Sequence, residues 1–208
     1  VTLTITANET ISTPTVTFTS GGAAINDTSI TYSNTSGNTW TAAYTADADD
    51  TNGLVTFSVA FSDSVGNAGT AVTAVTNGTS VTFDDTIPTL SSVAIASNNS
   101  TNTLAKVNDV ITLTLTANET ISTPTVTFTS GGDAINDGSI TYNNTSGNTW
   151  TAKYTANTGD TEGAVAYSIA FSDSAGNAGV AVTSGSGSVT FDKTAPTIST
   201  SSIASDNS

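Results

Sequence analysis

Apolar and polar residues alternate with a period of two along most of this chain. In Val110-Ile111-Thr112-Leu113-Thr114-Leu115-Thr116, one face carries Ile111, Leu113 and Leu115 and the other carries threonine. That is the pattern of a strand with one buried face. The same reading predicts strands near 90–96, 125–129, 139–142, 149–154 and 165–171, with Trp150 and Tyr154 pointing inward. Gly131-Gly132, the polar turn 143–148, the loop 157–163 and Ser172-Asp173-Ser174-Ala175-Gly176-Asn177 separate them. A last apolar stretch, 180–191, is interrupted by Ser184-Gly185-Ser186-Gly187, either as a bulge or as a short extra hairpin. About seven short strands in about 105 residues, with turns every 8–12 residues, predict an all-β Greek-key sandwich.

The pattern is written twice. Residues 1–14 return as 111–124 with two conservative changes, at positions 1 and 5. The shift of 110 holds to Ala71/Ala181, with roughly three quarters of positions identical, and falls to 108 at Val81/Val189. The expected organisation is a repeat lacking its first strand at 1–85, a complete repeat at 86–192, and a joint with the first strand of a following repeat at 193–208. Ser202-Ile203-Ala204-Ser205 repeats Ala94-Ile95-Ala96-Ser97 with one change. A unit near 110 residues is the size of one domain.

Composition narrows the class. Threonine makes up about a fifth of the residues and suits the solvent face of a strand. The 208 residues carry a formal net charge of −14 with only three lysines and no arginine. No basic stripe exists for nucleic acid. No apolar run is long enough for a membrane-spanning helix. Without His or Cys, Ser-His-Asp and Cys-His catalysis is excluded. The remaining acids sit in turns and mostly recur in both copies, which suits a structural element better than an active site. The expectation is that the chain is not an enzyme.

The recurring joints are Val81-Thr82-Phe83-Asp84-Asp85-Thr86-Ile87-Pro88 and Val189-Thr190-Phe191-Asp192-Lys193-Thr194-Ala195-Pro196. Proline fixes its own φ and holds its predecessor extended, so each joint is a stiff connection bearing carboxylates. The strand order of a sandwich brings Asp84 and Asp85 to the end where Glu119, Asp173 and Asn177 lie. Glu9, Asp63, Asn67 and Asp192 are their counterparts in the other copies. Carboxylate and amide oxygens without soft ligands suit Ca²⁺. Turn chemistry is the competing reading, since Asp and Asn favour turns in any case.

Asp-x-Thr-x-Pro between units, with Asp63-Ser64-Val65-Gly66-Asn67 and Asp173-Ser174-Ala175-Gly176-Asn177 before the last strand, resembles the bacterial immunoglobulin-like tandem repeats of giant cell-surface and adhesin proteins. The resemblance covers the whole chain. It implies tandem Ig-like sandwiches, an extracellular or cell-surface location, neighbouring repeats as partners, and Ca²⁺ at the joints. The later joint departs from the pattern in carrying Lys193.

The function expected is a structural extender or stalk in a long repetitive surface protein, with calcium-stiffened joints and no membrane insertion in this segment. The alternative is a self-assembling, pilus-like fibre subunit that donates its C-terminal strand to a neighbour. A sugar-binding platform built on Trp40 and Trp150 is the weaker reading, because both fall in phase with inward positions. Sequons such as Asn8-Glu9-Thr10 and Asn118-Glu119-Thr120 arise by chance in a chain this rich in Asn, Thr and Ser.

Overall fold

A computed structural model of the chain describes residues 1–27, 29–36 and 38–206. Those residues contain no helix. They form two compact units, Val1–Thr86 and Ile87–Ser208.

In the first unit the strands are β1 (Thr2–Thr6), β2 (Thr15–Ser20), β3 (Ala23–Ala24), β4 (Thr31–Ser36), β5 (Thr39–Ala43), β6 (Gly53–Ala60) and β7 (Thr82–Phe83). They make two antiparallel sheets, β1-β5-β4 and β3-β2-β6-β7. The second unit holds β8 (Leu90–Ser97), β9 (Leu104–Ala105), β10 (Val110–Ala117), β11 (Thr125–Ser130), β12 (Asp133–Ala134), β13 (Thr141–Ser146), β14 (Thr149–Thr155), β15 (Gly163–Ala170) and β16 (Thr190–Phe191). Its sheets run β13-β14-β10-β8 and β12-β11-β15-β16-β9. This is the immunoglobulin order, with the opening segment divided between the sheets as β8 and β9. Two-residue β9 and β12 carry too little alternation to be read from sequence.

Threonine alternation sets the faces. In β11 Val126, Phe128 and Ser130 are buried and the threonines point outward. Inside the second unit Ile111, Leu113, Leu115, Ala152 and Ile169 are fully buried. Phe128 and Tyr154 pack across the two sheets with ring centroids 4.8 Å apart. The Tyr142 hydroxyl accepts the Val126 N–H at 2.9 Å, tying β13 to β11 in the opposite sheet. Tyr32 and Val16 repeat this tie in the first unit. Trp150, read as inward, packs against the core from a partly exposed position opposite Leu115.

Two sequence-based boundaries shift. The fourth strand runs to Ser146 rather than stopping at 142. The expected six-residue turn reduces to Gly147 and Asn148, with a bulge between Asn144 and Ser146. Gly147 has φ +52°, which a side chain disfavours. The interrupted last stretch is neither bulge nor hairpin. Val182 bridges Ile169, Ser186 bridges Ala94 in parallel, and only Thr190–Phe191 forms a strand. Gly185 and Gly187 allow this crossing, since a methyl on either would overlap the carbonyl of Val93 or Ile95.

The two units differ at one edge. β10 lies between β14 and β8, whereas β1, among the described residues, pairs with β5 alone. Val1, Leu3 and Ile5 are therefore partly exposed, although their counterparts Ile111, Leu113 and Leu115 are fully buried.

Candidate functional site

The Asp-x-x-Gly-Asn turn after β15 folds around its own aspartate. Asp173 is 3% exposed. Its Oδ1 accepts the N–H groups of Gly176 at 2.7 Å and Asn177 at 2.8 Å, and its Oδ2 accepts the Asn177 side-chain amide at 2.8 Å. Gly176 has φ +102°, so the turn needs glycine there. Burial of Asp173 opposes its charge, but the Asn177 amide and the N–H groups of Asn177, Gly176 and Ala175 outweigh it. The carboxyl stays below the ordinary aspartate range.

Glu119 follows β10, two residues before Ile121, which bridges Asp173. The Ser122 hydroxyl donates to the Asp173 carbonyl at 3.2 Å. Glu119 and Asp173 thus present carboxylate oxygens within 4.8 Å of each other. Glu119 Oε1 is shielded from solvent and has no hydrogen-bond partner. A buried, unpaired carboxylate oxygen beside a second carboxylate is costly unless a cation or proton sits there. The oxygen donors fit a hard divalent cation such as Ca²⁺.

The first unit repeats the turn. Asp63 Oδ1 accepts the N–H groups of Val65 and Asn67, and its Oδ2 accepts the Asn67 amide at 2.7 Å. The Asn67 side chain and N–H hold the Asp63 carboxyl below its usual range. Ile11 bridges Asp63 as Ile121 bridges Asp173. Glu9, the counterpart of Glu119, is exposed.

The joint acids engage their own units. Asp84 Oδ1 accepts the Thr86 N–H at 3.0 Å. Asp85 is turned toward Asn52: its Oδ1 accepts the Asn52 amide at 2.7 Å, and its N–H donates to Asn52 Oδ1 at 2.9 Å. Asp192 Oδ1 accepts the Thr194 N–H at 2.8 Å. Glu162, the counterpart of Asn52, accepts the Lys193 N–H and the Thr194 hydroxyl. The Thr194 hydroxyl, with the N–H of Lys193, holds the Glu162 carboxyl below its ordinary range.

Sequence reasoning missed two devices. Lys193 sends its ammonium back to the carbonyls of Thr158 at 3.0 Å and Asp160 at 2.8 Å, clamping the joint to the loop after β14. Asp160, 1% exposed, caps that loop by accepting the N–H groups of Asn136 and Asn157. Asp50 does the same with Asn26 and Asp47. The signal was present: Asp50-Thr51 and Asp160-Thr161 are identical although the three preceding residues all differ.

No family model matches the sequence, and no curated protein matches it. Among solved structures, the chain is similar to the titin Ig tandem domains A164-A165 at 18% identity and a TM-score of 0.29, covering 88% of this chain and 82% of that one. It is similar to the D00-D0 domain of intimin at 15% identity and a TM-score of 0.31, covering 93% of each. It is also similar to the titin domains Z1Z2 in complex with telethonin at 15% identity and a TM-score of 0.28, covering 94% of this chain and 89% of that one. Scores this low add nothing to the sheet order and register described above.

Proposed function

We propose that this chain is an extender segment of a long, repetitive, extracellular surface protein, adhesin-like or surface-layer in type. The observation that carries this reading is the repetition itself. Two units of one sandwich design are joined through a proline-stiffened segment whose backbone is capped the same way in each, by Asn52 on Asp85 and by Glu162 on Lys193. A binding or catalytic protein has no need to repeat its joint with its fold; a spacer does. Neighbouring repeats are the partners this reading supplies. The adhesion ligand lies outside it.

Ca²⁺ is the proposed cofactor, with Glu119 and Asp173 as the acids of the second unit and Asn177 as a turn residue beside them. Sites in extracellular modules bind at about 10⁻⁴–10⁻³ M. Calcium at ten times Kd then adds about 1.4 kcal/mol to stability. Calorimetry with and without chelator tests this. The second unit's melting temperature should rise with calcium and lose that rise in Glu119→Gln, while magnesium has a smaller effect. A melting curve indifferent to calcium in the wild-type chain removes the cation from the proposal. Force spectroscopy tests the extender reading separately. It should show two unfolding events, each releasing on the order of 300 Å of chain. A single event or none would contradict two independently folded spacers.

A further inference from the structure

One position is filled by an amide in the first unit and by an acid in the second, and a glycine follows it in both. Asn52-Gly53 corresponds to Glu162-Gly163. Packing demands the glycine. A methyl on Gly53 would lie 2.8 Å from the Gly21 Cα, and one on Gly163 would lie 2.9 Å from the Gly131 Cα. The joint demands the residue before it. Asn52 Nδ2 donates to Asp85 Oδ1 at 2.7 Å and to the Thr86 hydroxyl oxygen at 3.0 Å, and Asn52 Oδ1 accepts the Asp85 N–H at 2.9 Å. Glu162 meets Lys193 and Thr194 instead. Two separate demands thus leave an Asn-Gly pair under the first joint and a Glu-Gly pair under the second. The sequence holds one other Asn-Gly, Asn77-Gly78. Asn77 lies exposed in a bend, where its Oδ1 accepts the N–H and hydroxyl of Thr79. A methyl on Gly78 would meet open space.

We propose that Asn52 is a site of spontaneous deamidation, held in check by the cap it forms on the joint. In this reaction the Gly53 backbone nitrogen attacks Asn52 Cγ. The new N–Cγ bond closes a succinimide ring, the Cγ–Nδ2 bond breaks, and ammonia leaves with the proton of the glycine N–H. Water then opens the ring to aspartate or isoaspartate. Glycine permits the closure because it has no Cβ to hinder the approach. The Asn52 side chain must swing back over its own backbone to react, and its three contacts with Asp85 and Thr86 hold it elsewhere. The reaction therefore waits on opening of the cap. Its product cannot restore the cap. A carboxylate replaces the donor amide against the Asp85 carboxylate, so both donated hydrogen bonds are lost and two like charges face each other. Isoaspartate also adds a carbon to the backbone where Gly53 rests on Gly21. A transient opening of the first joint becomes permanent, whereas Glu162 offers no amide to lose at the second. This modification goes beyond the extender reading and depends on neither that reading nor calcium.

The test is to age the full-length chain in mildly alkaline buffer, which ionises the attacking nitrogen, and to map its peptides by mass spectrometry. Each event exchanges NH2 for OH at an identifiable residue. Asn77 should convert at the rate of an unstructured Asn-Gly peptide, and Asn52 far more slowly. Asp85 and Thr86 are both exposed, so replacing either leaves the core intact. Asp85→Ala removes the charged acceptor and should speed conversion of Asn52 about tenfold, because the open fraction rises. Thr86→Val removes a neutral contact and should speed it about threefold. Asn77 should be unaffected by either change. The first unit's melting temperature should fall as Asn52 converts. Asn52→Glu with Asp85→Lys, which copies the second unit's pair, should melt alike before and after ageing. Wild-type Asn52 converting as fast as Asn77 overturns the proposal. So does an Asn52 rate that neither variant raises, or a chain converted at Asn52 whose first unit melts as the fresh one does.

Discussion

Leu113→Ala and Leu3→Ala make the same chemical change at matched positions of two near-identical units. They should have unequal consequences. Leu113 is fully buried, opposite Ala152 on one side and Ile95 on the other. Its truncation removes about three methylene equivalents at about 0.8 kcal/mol each and leaves a cavity closed by β8, for a loss of about 3–4 kcal/mol. For a domain of this size that lowers the melting temperature by about 15–25 °C. Leu3 is partly exposed and, among the described residues, has no strand on its outer side. Much of its surface is already in water, and the groove relaxes freely, so the loss should be about 1–1.5 kcal/mol. Each unit contains one tryptophan, Trp40 or Trp150, so fluorescence in single-tryptophan backgrounds assigns each transition. Equal shifts in the two units would show that β8 does not create the difference in burial, and would refute this reasoning.

Acid should destabilise both units. The Asp63 and Asp173 carboxyls are held low by hydrogen bonds from their own turns, that of Asp27 by the N–H groups of Ser29 and Thr45, and that of Glu162 by the Thr194 hydroxyl and the Lys193 N–H. A carboxylate with a lowered folded pKa contributes its stability above the unfolded value, near 4, and loses it as pH falls through the folded one. Urea midpoints should therefore be flat from neutrality to about pH 5 and fall below about pH 4. Asp173→Asn should shallow the fall for the second unit alone, and an unchanged slope in that variant would contradict the assignment. Tyr142→Phe removes the hydroxyl that satisfies the Val126 N–H, at an expected cost of about 1–3 kcal/mol. Chemical denaturation measures it, and a neutral result would mean that water replaces the hydroxyl.

Much of this molecule was legible in one dimension. Period-two alternation with threonine on the outer face located the long strands, because a strand's side chains alternate whatever it packs against. The duplication gave the spacing of the joints, and Asp-x-x-Gly-Asn gave a turn, because an aspartate, a glycine and an asparagine at that spacing complete their own hydrogen bonds. These are local matters. Tertiary structure decided what depends on partners distant in sequence. It turned Asp85 toward Asn52 and sent Lys193 back to Thr158 and Asp160. It reduced the final apolar stretch to one two-residue strand and a glycine crossing, since Gly185 and Gly187 are defined by the carbonyls of β8 that pass against them.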